Sequence, residues 1–266
     1  MTLNVCLAGA TGWAGSELAR GIGGAPDLVL TSGVSRRHAG RRLSEVLDAP
    51  RLTAPLYASA SDALEVPCDV FVEYTAAISA KANILTALDK GAHVVVGTSG
   101  LTDADYEEID VVAREHGRGV LACGNFALTA VLLLKCAELV ARNLSQWEIV
   151  EYASDAKADV PSGTVRELTH RLSAIRRPDL TVPMSRTLGP PEARGADMEG
   201  IRVHSVRLPG HTVGVDVVFG AVDQTLVLRH NSGNSARPYV DGALLAIRKV
   251  SRLTGVHRGL DSVLDL

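Results

Sequence analysis

The sequence has 266 residues, a formal net charge of −3 and 46% hydrophobic residues, a size that favours two modest domains. No apolar run approaches the length of about 18 residues that a membrane helix needs, so we expect neither a transmembrane helix nor a secretory signal, and a cytoplasmic protein. The acidic balance, without a basic stripe interleaved with aromatic residues, argues against a nucleic-acid partner.

The first predicted element is an apolar strand at residues 5–8, followed by three glycines and a helix beginning near Ser16. Gly9, Gly12 and Gly15 lack Cβ atoms, which would let the backbone approach a pyrophosphate and the helix pack close to the strand. A tight strand-to-helix turn without a ligand has the same pattern. Because the glycines follow a strand and precede a helix, we interpret them as a dinucleotide-binding turn.

A second strand is predicted at residues 28–34 and runs into Ser35, Arg36 and Arg37. At the end of this strand a carboxylate would bind the ribose hydroxyls of NAD, whereas arginine accommodates the extra phosphate of NADP. The two arginines and the absence of a carboxylate therefore favour NADPH, with NADH possible. A solvated basic loop is the alternative interpretation.

Further short apolar runs predict strands at residues 70–74, 93–97 and 119–123, separated by helix-patterned segments at residues 79–90 and 103–116. Strands that alternate with helices predict a parallel, doubly wound sheet of the α/β class.

The pattern changes after Asn125. A long apolar helix is predicted at residues 128–144, then strands at residues 147–152, 203–208, 212–219 and 224–230, and a closing helix at residues 239–252. Successive strands without helices between them indicate a second domain of the α+β kind. Residues 178–200, rich in proline and glycine, are predicted to form a loop or a lid.

Four cysteines, at positions 6, 68, 123 and 136, lie in apolar stretches and are not paired at the spacing of metal ligands. This distribution is typical of buried, reduced thiols. We expect neither a disulfide nor a metal site.

A candidate anion-binding loop lies at residues 157–164, before a predicted helix at residues 165–175. Ser162, Gly163 and Thr164 would present hydroxyls and free backbone N–H groups to an anion, with the helix dipole adding to the attraction. Lys157 adds a cation that can pair with a carboxylate. A helix cap without a ligand is the alternative.

Six segments, in order along nearly the whole chain, match one known family. They are Gly9-Ala10-Thr11-Gly12-Trp13-Ala14-Gly15, Gly97-Thr98-Ser99-Gly100, Gly124-Asn125-Phe126, Lys157-Ala158-Asp159-Val160-Pro161-Ser162-Gly163-Thr164, His204-Ser205-Val206-Arg207-Leu208-Pro209-Gly210 and Leu264-Asp265-Leu266. Together they resemble dihydrodipicolinate reductase, an enzyme family of lysine and diaminopimelate biosynthesis. The stretch beginning at Lys157 is highly specific to that family, whereas a glycine triplet is not.

The resemblance implies a Rossmann-type domain at residues 1–125, an inserted α+β substrate and oligomerisation domain at residues 126–234, and a return to the first domain at residues 235–266. It implies an NAD(P)H-dependent reductase of a small carboxylated imine that forms homotetramers. The implied cofactor-binding residues are Gly9, Thr11, Gly12, Trp13, Ala14, Gly15, Ser35, Arg36, Arg37, Thr75, Gly97, Thr98, Gly124, Asn125 and Phe126. The implied substrate-binding residues are Ser99, Ser154, Ser162, Gly163 and Thr164, and Lys157 is the implied catalytic residue.

The sequence departs from the family at two adjacent positions that matter for chemistry. The family carries two adjacent histidines before the lysine, the first of which is assigned as the proton donor, and here Ala153 and Ser154 occupy those positions. Loss of a general acid typically costs a factor of about 10²–10⁴ in rate.

Three explanations remain open for this departure. We favour a changed substrate, because an imine that is already protonated can accept hydride at carbon without a new proton at nitrogen. The second explanation keeps the usual reaction and moves the proton donor to Lys157, Tyr152 or water, although the alternation of side chains along a strand can turn Tyr152 away from Ala153. The third is a non-catalytic NADP-binding sensor or scaffold.

Other titratable side chains offer no obvious replacement for the histidine. Asp155 is a carboxylate and would repel a dicarboxylate. His204, His211 and His230 are better explained as structural histidines held by hydrogen bonds.

Overall fold

The computed structural model describes residues 2–265, so Leu266 in the last of the six segments lies outside the described residues. The chain folds into two compact units. Unit 1 contains the residues up to Leu128 together with those from Ala236 onward, and unit 2 contains Thr129–Ser235.

Unit 1 is built from a seven-stranded parallel sheet flanked by helices, in the strand order β3-β2-β1-β4-β5-β6-β12. Its elements are β1 (Leu3–Ala8), α1 (Trp13–Gly24), β2 (Leu28–Val34), α2 (Leu43–Leu47), β3 (Leu56–Tyr57), α3 (Ala60–Ala63), β4 (Val70–Glu73), α4 (Ala77–Asp89), β5 (His93–Val96), α5 (Asp103–Glu115) and β6 (Gly119–Ala122), then α8 (Val240–Lys249) and β12 (Gly255–Arg258) near the end of the chain. The α/β fold class is confirmed.

The sheet of unit 1 is buried because its central strands are apolar on both faces. Every residue of β4 and of β6 is buried, as expected for parallel strands that helices cover on both sides. On one side, Phe71, Val94 and Val120 pack against Ile84 of α4 and Ile109 of α5 in a single core cluster. All the parallel strands end at one edge of the sheet, so the loops after β1, β2, β4, β5 and β6 are brought to that edge.

Unit 2 contains the mixed five-stranded sheet β11-β10-β7-β9-β8, in which only β7 and β9 pair in parallel. Its elements are α6 (Leu128–Ala141, which begins one residue before the unit), β7 (Gln146–Ala153), α7 (Gly163–Ile175), β8 (Ala196–Met198), β9 (Ile201–Arg207), β10 (Val213–Ala221) and β11 (Gln224–Ser232).

Strict alternation along β7 separates the two faces of this sheet. Trp147, Ile149, Glu151 and Ala153 are buried, whereas the residues between them are partly exposed. The buried face packs against the apolar side of α7, which includes Leu168. The same alternation places Ala153 and Glu151 on one face and Tyr152 on the other.

Some local predictions are corrected by the structure. Residues 178–200 are not structureless, because they contain β8 and two short 3-10 turns. The predicted helix at residues 128–144 ends at Ala141. Of the four cysteines, only Cys6 and Cys123 are buried, whereas Cys68 is half-buried. Cys136 is exposed because it shares the outer face of α6 with Leu132 and Leu139.

Two further searches cover the described part of the chain. Within residues 2–265, each helix is too short or too polar to cross a membrane. In the same range, His, Cys, Asp and Glu side chains form no group of three or more that could hold a metal ion.

Candidate functional site

The glycine turn after β1 is a close approach of three backbone segments. Gly9 has a φ of +79°, and a Cβ on it would lie 2.7 Å from the carbonyl carbon of Tyr74. A Cβ on Gly15 would lie 2.8 Å from the carbonyl carbon of Gly9 and overlap its oxygen. These two glycines are therefore required by the packing of the strand, the turn and the helix themselves.

Gly12 differs from the other two glycines because the packing of the protein does not require a glycine at its position. Its backbone is extended, and its Cβ would meet only the Gly9 oxygen, at 3.2 Å. Gly12 is the N-cap of α1 and offers no side-chain cap, and the first turn of α1 carries no acidic residue. The N–H groups at this helix start, including those of Trp13 and Ala14, are thus left for an anion, which fits a pyrophosphate.

The arginine side chains after β2 differ in whether they bind another residue of the protein. Arg36 and Arg37 are exposed and form no ion pair or hydrogen bond within residues 2–265, whereas Arg41 pairs with Glu45 at 3.4 Å. Ser35 is buried and its hydroxyl lies 2.8 Å from that of Thr11, which ties this strand end to the glycine turn. Two unpartnered guanidinium groups next to the turn fit a phosphate.

A buried carboxylate, Glu73, organises the loops after β4 and β5. One of its oxygens accepts hydrogen bonds from the Thr75 N–H at 2.7 Å, from the Thr75 hydroxyl, and from the Thr98 hydroxyl at 3.2 Å. Its other oxygen accepts from Asn83 Nδ2 at 2.8 Å. Glu73 is fully buried. The positions of Thr75 and Thr98 are therefore set by one side chain.

Aromatic packing fixes the remaining loops at this edge of the sheet. The Tyr74 ring lies against Gly97, where a Cβ would come within 2.8 Å of the ring atom Cδ1. Its centroid is 5.8 Å from that of Phe126, and Asn125 Oδ1 accepts the Ala127 N–H at 2.8 Å. Burial raises the pKa of Tyr74, so this phenol stays neutral. Ser99 and Gly124, in the same loops, are exposed.

The loop between β7 and α7 is held by its own side chains. Lys157 Nζ contacts both carboxylate oxygens of Asp159, at 2.7 and 2.9 Å, and this ion pair lowers the pKa of Asp159. The Ser154 hydroxyl is 3.1 Å from Asp155 Oδ1 and accepts the Ala156 N–H. A ligand carboxylate at Lys157 would compete with Asp159 for the ammonium.

The sequence analysis left a helix cap and an anion-binding site as alternatives for the start of α7. The structure contains the cap and also N–H groups that remain for an anion. Ser162 is the N-cap, and its hydroxyl accepts the Val165 N–H at 3.4 Å. Its own N–H is not free, since it donates to Glu151 Oε2 at 2.9 Å. The first-turn donors that remain for an anion are the N–H groups of Gly163 and Thr164.

Comparison with known proteins identifies the family from both halves of the chain. Residues 3–126 match the family model described as dihydrodipicolinate reductase, N-terminus, and residues 129–264 match the model for its C-terminus. The chain belongs to the dihydrodipicolinate reductase family. The family makes the chain an NAD(P)H-dependent oxidoreductase, and the expectation drawn from the six segments is confirmed.

Individual dihydrodipicolinate reductases are similar over the whole chain. The 4-hydroxy-tetrahydrodipicolinate reductase of Halalkalibacterium halodurans is 35% identical over 264 residues, covering 99% of this chain and 100% of that protein. That of Bacillus pumilus is 34% identical over 272 residues, covering 99% and 98%. The structure of dipicolinate-bound dihydrodipicolinate reductase from Paenisporosarcina sp. TG-14 has a TM-score of 0.89 and 27% identity, covering 99% of this chain and 100% of that one.

The structure also describes the position at which the sequence analysis expects a family histidine. Ala153 is 3% exposed and lies on the buried face of β7. Tyr152 lies on the opposite face, where its hydroxyl is 3.3 Å from Asp216 Oδ2 and its ring stacks near His211, 5.2 Å between centroids. Burial and the neighbouring Asp216 raise the pKa of Tyr152. Tyr152 is therefore directed away from Ala153.

The other two histidines considered from the sequence are engaged within unit 2. His204 Nε2 lies 2.7 Å from Glu148 Oε2, and His230 Nδ1 lies 3.1 Å from the Thr129 hydroxyl. Burial lowers the pKa of His230. Both contacts agree with the structural role assigned to these histidines.

Two buried carboxylates, Glu73 and Glu151, were missed by the sequence analysis. Glu73 lies at the end of the otherwise apolar strand β4 and Glu151 on the buried face of β7. Each binds the backbone or hydroxyls of a loop that carries predicted site residues. A charged residue inside a buried strand was the available signal, because such a residue persists only when donors surround it.

Proposed function

We propose that this member of the family reduces the C=N bond of a small cyclic imine that carries a carboxylate, and that it prefers NADPH to NADH. The observation that carries the proposal is the loop before α7, where the Lys157 ammonium and the N–H groups of Gly163 and Thr164 can receive a carboxylate. The support from the relatives is their shared name and their similarity over the full length of the chain.

Unit 1 would hold the dinucleotide. The glycine turn and the uncapped start of α1 would receive the pyrophosphate, and Arg36 and Arg37 would bind the phosphate that distinguishes NADPH from NADH. The loops that Glu73 and Tyr74 fix would border the nicotinamide. When bound, the nicotinamide supplies the hydride, and the protein supplies position and charge.

The carboxylate would be held in unit 2 by Lys157, Ser162, Gly163 and Thr164, with Ser154 as an additional polar contact, whereas Ser99, the other predicted substrate contact, belongs to unit 1. Lys157 would act first as a charge partner. In the free chain Asp159 pairs with the Lys157 ammonium. A substrate without a carboxylate therefore cannot compete with Asp159 for that ammonium. This arrangement favours anionic imines over neutral ones.

The missing histidine suggests which imine is reduced. A cyclic imine whose nitrogen already carries a proton needs only a hydride at carbon, and the product is the secondary amine with that same proton on nitrogen. No side chain then has to donate a proton, which suits a pocket in which Ala153 replaces the acid. We therefore propose a substrate altered from that of the named relatives.

The second candidate is reduction of 4-hydroxy-tetrahydrodipicolinate itself, and the full-length similarity to reductases of that name favours it. In that reaction the proton would come from Lys157 or water, since Tyr152 lies on the opposite face of β7 and Glu151 is ionised. We further propose a cytoplasmic homotetramer, as the resemblance implies, which light scattering after size exclusion tests.

Oxidation of NADPH with a panel of imines tests the proposal. The panel contains 4-hydroxy-tetrahydrodipicolinate, pyrroline-2-carboxylate and piperideine-2-carboxylate, with the uncharged ring imines as controls. We expect turnover of at least one of the last two carboxylates and none of the uncharged rings. Turnover of only the first substrate supports the second candidate. NADPH binding without any turnover would reject both in favour of a non-catalytic protein.

A double substitution separates a lost acid from a remodelled pocket. Ala153→His with Ser154→His restores the family's pair, and a gain of about 10²-fold or more in the rate on 4-hydroxy-tetrahydrodipicolinate is expected if only the acid was lost. Unchanged rates on that substrate would instead indicate that the pocket itself has changed.

A further inference from the structure

Glu151 is a buried carboxylate outside the groups that the proposed function assigns to substrate. It is 1% exposed and lies on the face of β7 that packs against α7. Removing a carboxylate from water is strongly unfavourable unless donors surround it. The donors that satisfy Glu151 therefore show what its burial fixes in place.

Three donors from two different segments converge on Glu151. Its Oε1 accepts from Arg207 Nη2 at 2.6 Å and from the Ser205 hydroxyl at 2.7 Å, both on the neighbouring strand β9. Its Oε2 accepts from the backbone N–H of Ser162 at 2.9 Å. One carboxylate thus joins the sheet to the residue that caps α7.

Arg207 holds the same loop at a second point. Besides Glu151, its Nη2 donates to the backbone oxygen of Asp159 at 2.9 Å. The loop is therefore fixed at residues 159 and 162, on the two sides of Val160 and Pro161, by one ion pair. A planar guanidinium can make both contacts at once, which an ammonium cannot do with the same geometry.

The charge state of Glu151 suits this arrangement. Burial alone would raise its pKa, but the Arg207 guanidinium and the hydrogen bonds from Ser162 and Ser205 outweigh burial, and the pKa of Glu151 lies below its ordinary value. The side chain is then an acceptor on both oxygens, which the contacts with Arg207 and Ser162 require.

We propose that Glu151 and Arg207 are positioning residues for the carboxylate-binding loop. They do not bind the substrate. Glu151 accepts the Ser162 N–H from the side of the sheet, and Arg207 binds the backbone oxygen of Asp159. Together these contacts determine where the N–H groups of Gly163 and Thr164 point. This inference rests on the proposed function, because it assumes that the loop receives a carboxylate.

The test compares three single variants by their affinity for dipicolinate, a stable dicarboxylate, and by their KM and kcat with the best imine of the panel. Glu151→Gln keeps the size of the side chain but removes its charge. Arg207→Lys keeps the charge but loses the second contact. Glu148→Gln is the matched control, since Glu148 lies on the same strand, faces the other way and also pairs with an arginine, Arg194.

We expect Glu151→Gln to raise the dipicolinate Kd and the imine KM by roughly 10- to 100-fold, because a small misplacement of binding groups has effects of that size. The value of kcat should change much less, since the lost contacts serve binding in the ground state and the transition state alike. Arg207→Lys should give an intermediate increase. Glu148→Gln should stay within about two-fold, and all three should bind NADPH as the wild type does.

The proposal is overturned if folded Glu151→Gln shows no larger change in dipicolinate Kd than Glu148→Gln. A merely structural role would lower the melting temperature of Glu151→Gln and leave its Kd unchanged below that temperature. Should circular dichroism show that Glu151→Gln does not fold, Arg207→Lys decides, and a wild-type Kd in that variant overturns the proposal. Failure of the wild type to bind dipicolinate and to reduce any imine would instead reject the proposed function.

Discussion

Replacing Arg36 and Arg37 with alanine is expected to weaken NADPH binding far more than NADH binding. A hydrogen bond to a charged group contributes about 1.5–3 kcal/mol, and each 1.4 kcal/mol corresponds to about ten-fold in Kd. Both side chains are exposed, so solvent screening favours the lower end of that range. Each single variant should therefore lose about ten-fold in NADPH affinity, and the double variant up to about 100-fold.

The structure indicates that these substitutions remove no other described side-chain interaction. Neither arginine has a partner among residues 2–265, so removing it leaves no carboxylate of the protein unpaired. The matched control is Arg41→Ala with Arg42→Ala, which removes the same charge from the same segment. Arg41 forms an ion pair with Glu45, and Arg42 donates a hydrogen bond to the backbone oxygen of Thr53 at 2.8 Å.

The assay is titration of nicotinamide fluorescence with NADPH and with NADH at an ionic strength of about 0.1 M, where charges more than about 10 Å apart are largely screened. The control should then change either Kd by less than about three-fold. Equal losses for NADPH and NADH in the Arg36 and Arg37 variants would show that these side chains do not contact the additional phosphate. The same conclusion would follow if the control lost as much NADPH affinity as the test variants.

Three further outcomes are expected. Gly15→Ala should lower both the melting temperature and the affinity for either dinucleotide, because its Cβ would overlap the Gly9 carbonyl; a variant with wild-type values of both would contradict the packing argument. Asp159→Asn should lower the imine KM by about two- to five-fold, because it releases Lys157 from an exposed ion pair, whereas Lys157→Ala should raise KM and leave the NADPH Kd unchanged. Burial lowers the pKa of His230 below its unfolded value of about 6.5, so unfolding takes up a proton and stability is lost as pH falls through that range. The melting temperature of the wild type should therefore fall more steeply than that of His230→Gln between about pH 7.5 and pH 5.5, and parallel curves would refute this assignment.

Elements with a strong local pattern were predictable from the sequence. The apolar runs that form β4, β5 and β6 and the periodic helices between them indicated the parallel sheet, and the glycine spacing located the turn after β1. In contrast, β12 has only four residues, two of which are His257 and Arg258. Its strand conformation comes from pairing with β6, a tertiary contact that carries no local signal.

The candidate site was predictable where a motif lies in one continuous stretch, as it does from Lys157 to Thr164. It was not predictable where residues distant in sequence meet. Glu151 and Arg207 are 56 positions apart, and only the parallel pairing of β7 with β9 brings them together. The same limitation applies to Ser162, whose N–H seemed available for a ligand until the position of Glu151 was known.

The seven-stranded sheet has a consequence for how the polypeptide matures. Its edge strand β12 comes from residues 255–258, whereas the neighbouring β6 ends at Ala122, and the whole of unit 2 lies between them in the chain. During synthesis, the sheet of unit 1 therefore lacks this edge strand until the whole of unit 2 has left the ribosome. A chain that terminates after Ser235 but before Gly255 would therefore contain all of unit 2 and an incomplete sheet in unit 1.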